Sequence, residues 1–268
     1  MSGFVDVHPH VISRDAARYP PAPLGRKQSD WSQERPVSAE EMLAAMDAAG
    51  IERSVLVQAS SCYGHDNSYL ADSVAAHPQR FSGVFSVDVL AGDALQRIKH
   101  WKARGLIGLR VFVAGHTVAQ DVRLDDPRSF AAWECAQAEG LPVCVQMRAP
   151  GLAQLDAMLK RFPKARVALD HMARPAHGDL GRLCELAKHE NLVLKLTTHN
   201  VHDLPAEFLE RAVMFFGARR VAWGSNYPAA KGRLAELLAQ ARKALAGLTA
   251  EQRDWVFSRT AASLYPAK

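Results

Sequence analysis

Pro142-Val143-Cys144-Val145-Gln146-Met147, followed by Leu152–Arg161 and then Arg166–Asp170, is the stretch whose pattern decides the fold. The first piece is short, apolar and partly β-branched. The second is longer and mixes Leu and Ala with charged residues. The third is short and apolar again. That order reads as strand, helix, strand. Both strands lack alternation, as expected of a parallel sheet covered on both faces. The same unit recurs in both directions along the chain. Strands are predicted upstream over Phe4–His8, Ser54–Ala59, Phe81–Val87 and Ile107–Val113, and downstream over Leu192–Thr197 and Arg220–Gly224. Helical stretches separate them: a helix running to Ala49, then helices near 67–76, 93–104, 127–139, 179–188 and 205–216, and helices from 232 onward. Ser38 with Glu41 three residues on forms a capping box for the first helix, and Gly50 closes it. The polar, Pro-rich segment 13–36 reads as a long loop. Eight β/α units in about 250 residues predict a (β/α)8 TIM barrel, one α/β domain over residues 1–268. The rival, an open doubly wound sheet, usually has fewer strands, and no GxGxxG follows the first strand.

The composition agrees. The chain has 268 residues, 48% hydrophobic and 23% charged, ordinary values for a globular protein that exclude disorder, collagen and coiled coil. No apolar run reaches the roughly 18 residues a membrane helix needs, so no membrane partner is expected. Thirty-three basic and 28 acidic residues give a net charge of +5. These charges are scattered, which argues against nucleic acid and suits a small anionic substrate. Cys62, Cys135, Cys144 and Cys184 show no CxxC spacing. A reducing compartment without a disulfide framework is expected, and with no leader pattern at Met1–Asp6 the expected location is the cytoplasm. The sequence does not separate a monomer from a homo-oligomer.

Unusual polar residues collect at the predicted strand ends, where a TIM barrel carries its active site. The first strand ends in His8-Pro9-His10 and the second runs into Ser60, Ser61, Cys62 and Tyr63. Arg110 interrupts an apolar fourth strand, and Gln146 and Arg148 close the fifth. Asp170-His171 with Arg174, Thr198-His199, and Ser225-Asn226-Tyr227 end the last three. His8 and His10, two apart on an extended segment, face the same way and could share a divalent ion with His171 as third ligand; His171 could instead act as a base. For the His-x-His pair alone, simple hydrogen bonding at the barrel mouth is an equal reading. Arg110, Arg148 and Arg174 suit carboxylate recognition. The alternative is an ion pair with an aspartate such as Asp88, a stronger alternative for Arg174 than for Arg110. Trp31, in the loop, is the tryptophan least easily assigned to packing.

Asp6-x-His8-x-His10, Asp170-His171-Met172-x-Arg174-Pro175 and Trp223-Gly224-Ser225-Asn226-Tyr227-Pro228 resemble the amidohydrolase superfamily, and within it the 2-pyrone-4,6-dicarboxylate lactonases. The early loop Tyr19–Lys27, Val57-Gln58-Ala59-Ser60 and Gly108-x-Arg110 extend the resemblance over nearly the whole chain. It implies a TIM barrel that hydrolyses a cyclic ester. By position His171 would polarise the ester carbonyl, and His8 and His10 would line the water site. Arg110 and Arg174 would hold carboxylates, with Ser60, Tyr63, Arg148 and Arg26 on the substrate side. Asn226 stands where the family has an aspartate that activates water. An amide cannot take that proton, and loss of a positioned base costs ~10²–10⁴-fold. Asn226 could still orient the water while a histidine accepts the proton. Metal-binding relatives place a Lys or Glu where Arg110 stands and a histidine on strand five, which disfavours a binuclear centre. The cofactor expectation is therefore no metal, or a single zinc or manganese held by His8, His10 and His171. His116 stands about where a second arginine is expected, and Gln146 replaces an aromatic residue. A different lactone, including a sugar-acid lactone, is thus as good a substrate as the pyrone dicarboxylate. The alternatives are a mononuclear-metal decarboxylase or hydrolase of the superfamily, and a catalytically impaired ligand-binding barrel.

Overall fold

A computed structural model describes residues 3–25, 27–113 and 123–266. Eight parallel strands follow one another around a single sheet in sequence order. They are β1 Phe4–Asp6, β2 Ile51–Val57, β3 Phe81–Ser86, β4 Gly108–Phe112, β5 Val143–Gln146, β6 Val167–Leu169, β7 Leu192–Thr197 and β8 Val221–Gly224. The Val7 amide donates to the Trp223 carbonyl at 3.2 Å and brings β8 back against β1. The result is the predicted (β/α)8 barrel. The principal helices between the strands are Ala39–Ala49, Ser68–Ala76, Ala94–Ala103, Phe130–Ala138, Leu152–Arg161, Leu180–Glu185, Ala206–Phe216 and Leu234–Ala244. The capping box is present: the Glu41 amide donates to Ser38 Oγ and the Ser38 amide to Glu41 Oε2, and Gly50 takes the left-handed conformation that ends the helix.

The apolar residues divide into two layers. Leu56, Phe85, Leu109, Val145, Leu169, Leu194, Leu196 and Trp223 pack with the surrounding helices in the larger core. Val7, Val55, Val57, Val84, Cys144, Ala168 and Ala222 fill the barrel with Leu264 and Tyr265. The inner residues are small because eight strands leave room for little more than one layer of side chains at a time.

Strand ends shift by one to three residues from the sequence reading, and two differences bear on the site. β1 stops at Asp6 rather than His8, because Pro9 has no N–H to give a ladder. The chain beyond still bonds both neighbours: His10 N donates to Tyr227 O at 2.8 Å, and Val57 N to Pro9 O at 2.8 Å. The long loop carries one helical turn, Asp30–Glu34, which lays Trp31 over His10 with ring centroids 5.3 Å apart. No helix among the described residues is long and apolar enough to cross a membrane. All four cysteines are free thiols.

Candidate active site

Asp6 anchors the site. It is fully buried, and its Oδ1 accepts from the His8 amide at 3.0 Å and the Ser225 amide at 2.8 Å. One carboxylate thereby ties the end of β1 to the end of β8. Burial raises its pKa to about 6 against the pull of these bonds and of Lys195.

Four imidazoles meet above that anchor. His8 lies 5.2 Å from His10 and 4.5 Å from His171, centroid to centroid, and His171 lies 5.4 Å from His199. Their partners set where each proton sits. Arg110 Nη2 can only donate, so His8 Nε2, 3.3 Å away, accepts, and His8 Nδ1 keeps its proton toward Asp170 Oδ1 at 3.5 Å. His10 Nδ1 donates to the Val57 carbonyl at 2.7 Å. Thr197 Oγ1 donates to Asn200 Oδ1 at 3.3 Å and accepts from His171 Nδ1 at 2.8 Å. His171 Nε2 therefore presents a bare lone pair, with no hydrogen bond among the described residues. Asn226 Nδ2 donates to His199 Nε2 at 2.9 Å. An amide can donate to a neutral ring, which a carboxylate cannot.

The loop that carries His171 is strained. His171, Met172, Ala173 and Arg174 take φ of 56°, 52°, 61° and 48°, four successive left-handed residues without a glycine. Each costs about 1–2 kcal/mol. Asn200 holds the turn by donating from Nδ2 to the His171 carbonyl at 2.8 Å. Asn226, at φ 56°, is a second such position.

All four rings are held neutral. Burial depresses His8 and His171 well below the usual imidazole value, and brings His10 and His199 down to about 4. Between pH 6.5 and 4 the unfolded chain binds protons at these positions that the folded chain refuses, so stability falls on acidification. His10 alone accounts for roughly 3 kcal/mol across that range. Asp6 works in the opposite sense, because its raised pKa makes the folded state the better proton binder between about 6 and 4. Four imidazoles outweigh one carboxyl. The thermal midpoint is expected to be lower at pH 5 than at pH 7, and a midpoint that rises over that interval contradicts this protonation pattern.

The arginines are less free than the sequence suggested. Arg110 is 5% exposed; its Nε donates to Asp170 Oδ2 at 2.9 Å and its Nη1 to the Gln58 carbonyl at 3.2 Å. Its partner is thus Asp170, not Asp88. With His8 also bound, two of its five N–H groups have no partner among the described residues. Arg174 Nη2 lies 3.8 Å from Asp203, and Arg148 is exposed. Ser60 Oγ is buried without a hydrogen bond, as is Gln146 Oε1. Tyr63 is buried in a small cluster with Ile12 and Tyr19, and its hydroxyl accepts from the Ser13 amide at 2.9 Å. Arg26 and His116 lie outside the described residues. The sequence reading gave no role to Asp170, Lys195, Thr197 or His199. Lys195 carried a signal, since it interrupts Leu192-Val193-Leu194-Lys195-Leu196 just as Arg110 interrupts β4.

A divalent ion does not fit these residues. The lone pair of His8 Nε2 is taken by a guanidinium, and Arg110 and Lys195 both stand on Asp170. Among the described residues no group of three His, Cys, Asp or Glu side chains can hold a metal.

Comparison with known proteins gives the family and the fold. A family model described as amidohydrolase matches residues 5–267. An L-fucono-1,5-lactonase of Burkholderia ambifaria is 30% identical over 249 residues, covering 85% of this chain and 81% of that one. A crystal structure of an amidohydrolase from Burkholderia multivorans with bound zinc superposes with a TM-score of 0.80 at 23% identity, covering 99% of each chain. A 2-pyrone-4,6-dicarboxylic acid hydrolase-like protein of Acinetobacter baumannii with bound citric acid reaches 0.78 at 18% identity, covering 97% of this chain and 98% of that one. At these identities the two structures bear on the fold alone.

Proposed function

The chain belongs to the amidohydrolase family, and from that premise we propose that it hydrolyses a small sugar-acid lactone by attack of water on the ring ester carbonyl. The observation that carries this reading is the bare Nε2 of His171, held neutral beside the guanidinium of Arg110 at the ends of the strands. In the proposed step, a water hydrogen-bonded to that nitrogen attacks the carbonyl carbon and passes its proton to Nε2. In this reading the two N–H groups of Arg110 without a partner among the described residues stabilise the developing oxyanion. The tetrahedral carbon then releases the ring oxygen, which takes the proton back from His171, and the opened hydroxy acid gives up its carboxyl proton to solvent and leaves as the carboxylate. His171 is thus read as a base and then an acid. The carbonyl-polarising part expected from the resemblance passes to Arg110, because an imidazole with its proton on Nδ1 offers no donor at Nε2. Asn226 orients His199 and takes no proton.

The charges of Arg110 and Arg174 support this substrate class. A dicarboxylate needs guanidinium groups without prior partners, whereas Arg110 is bound to Asp170 and Arg174 lies close to Asp203. A sugar lactone is uncharged until it opens and asks only for hydrogen bonds. The L-fucono-1,5-lactonase relative supports the same class. Purified protein is expected to turn over aldonolactones, 1,5-lactones among them, faster than 2-pyrone-4,6-dicarboxylate, and to keep that activity after exhaustive dialysis against a chelator. Absence of turnover on every sugar lactone tested, or chelator-sensitive turnover restored by zinc, overturns the proposal.

A further inference from the structure

Lys195 is an anomaly of the barrel interior. It lies on β7, is fully buried, and aligns with Ala222 of β8 in the ladder. Ala168 and Cys144, paired across β5 and β6, are small as well. These short side chains leave space along the axis for the Lys195 stem, and the Tyr265 ring lies 5.7 Å from its ammonium. Leu or Met would fill that space without a charge. Taking an ammonium out of water costs several kcal/mol, and replacing a buried ion pair by apolar groups is often neutral or stabilising. Packing therefore does not account for the residue.

Its contacts do. Lys195 Nζ lies 3.1 Å from Asp170 Oδ1, the same oxygen that faces His8 Nδ1 at 3.5 Å. The other oxygen, Oδ2, receives Arg110 Nε. Arg110 and His8 then meet each other at 3.3 Å. Asp170, His8 and Arg110 form a closed ring, and Lys195 stands outside it as a second cation on the carboxylate. Without it, Asp170 could rotate to give both oxygens to the Arg110 fork, the usual carboxylate–guanidinium geometry. His8 would then lose the carboxylate oxygen that faces its Nδ1 at 3.5 Å and favours the proton there, and Arg110 would turn away from the site.

We propose that Lys195 is a positioning residue: its ammonium holds Asp170 in the one orientation that fixes both the proton of His8 and the fork of Arg110. The effect on turnover rests on the lactonase reading above; the effect on His8 does not. The test therefore begins with ¹⁵N spectra of histidine-labelled Lys195→Met, which need no substrate. The wild type is expected to show His8 as the single Nδ1–H form, and Lys195→Met a mixture of tautomers. On the best lactone, kcat is expected to fall at least tenfold with KM changed less than threefold. If Lys195→Met does not fold, Lys195→Gln, which keeps a neutral donor, takes its place in both measurements. A variant with the wild-type His8 spectrum, or with wild-type kcat on a turned-over lactone, overturns the proposal. Loss of the single His8 tautomer together with the kcat-selective loss supports it.

Discussion

His171→Asn is expected to lower kcat/KM on a sugar lactone by ~10²–10⁴-fold while leaving the fold intact. The loss follows from the assigned part. His171 Nε2 is the imidazole lone pair left open to a water, and a carboxamide has no basicity to take a proton from it. The fold should survive because asparagine tolerates the left-handed backbone that residue 171 adopts at φ 56°. Its side chain can also still reach Thr197 Oγ1. The measurement is kcat/KM with a thermal midpoint on the same sample. Activity within threefold of wild type would remove His171 from the chemistry. Activity lost together with most of the thermal midpoint would make it a structural residue instead.

Arg110→Met carries the largest expected cost in stability. It deletes the donor to Asp170 Oδ2, the donor to His8 Nε2 and the donor to the Gln58 carbonyl, all of them buried contacts. Breaking a buried, hydrogen-bonded pair from one side costs about 3–5 kcal/mol, because the partner stays behind uncompensated. For a chain of this size that corresponds to a thermal midpoint lower by on the order of 10 °C. Lys195 remains on Asp170 and limits the damage. Turnover should be lost as well, and Arg110→Lys should restore neither property, since one ammonium cannot reach three acceptors set around a planar fork. A midpoint within about 2 °C of wild type would mean that the Asp170 pair contributes little, and would free Arg110 for the carboxylate-binding part the sequence suggested.

The catalytic reading and the charge network depend on different links of the same chain of cause. The histidines owe their neutrality to burial. His10 is covered by the Trp31 ring, and the end of β1 that carries it is tied to β8 by Asp6. Arg110 owes its aim to Asp170, and Asp170 owes its orientation to a lysine on β7. A defect at the barrel axis should therefore reach the substrate without touching it.

Much of this was legible before any coordinates. Short apolar runs alternating with longer amphipathic ones, closed by glycines at 50, 105 and 140, determine a parallel β/α barrel, because only helix-covered parallel strands are apolar on both faces. The rule that such barrels work at their strand ends then selects His8, His10, His171 and Asn226 as neighbours, although they lie as far as 218 residues apart. Tertiary structure alone decided what each could do. Proton position depends on partners brought from other strands: Arg110 for His8, Val57 for His10, Thr197 for His171. It also decided that Arg110 is spoken for by Asp170, that Tyr63 turns to Ser13 rather than to the site, and that four left-handed residues aim His171. A sequence records which groups are present; charges and lone pairs acquire their roles only from the few ångströms that separate them, and those are set by the closure of the barrel.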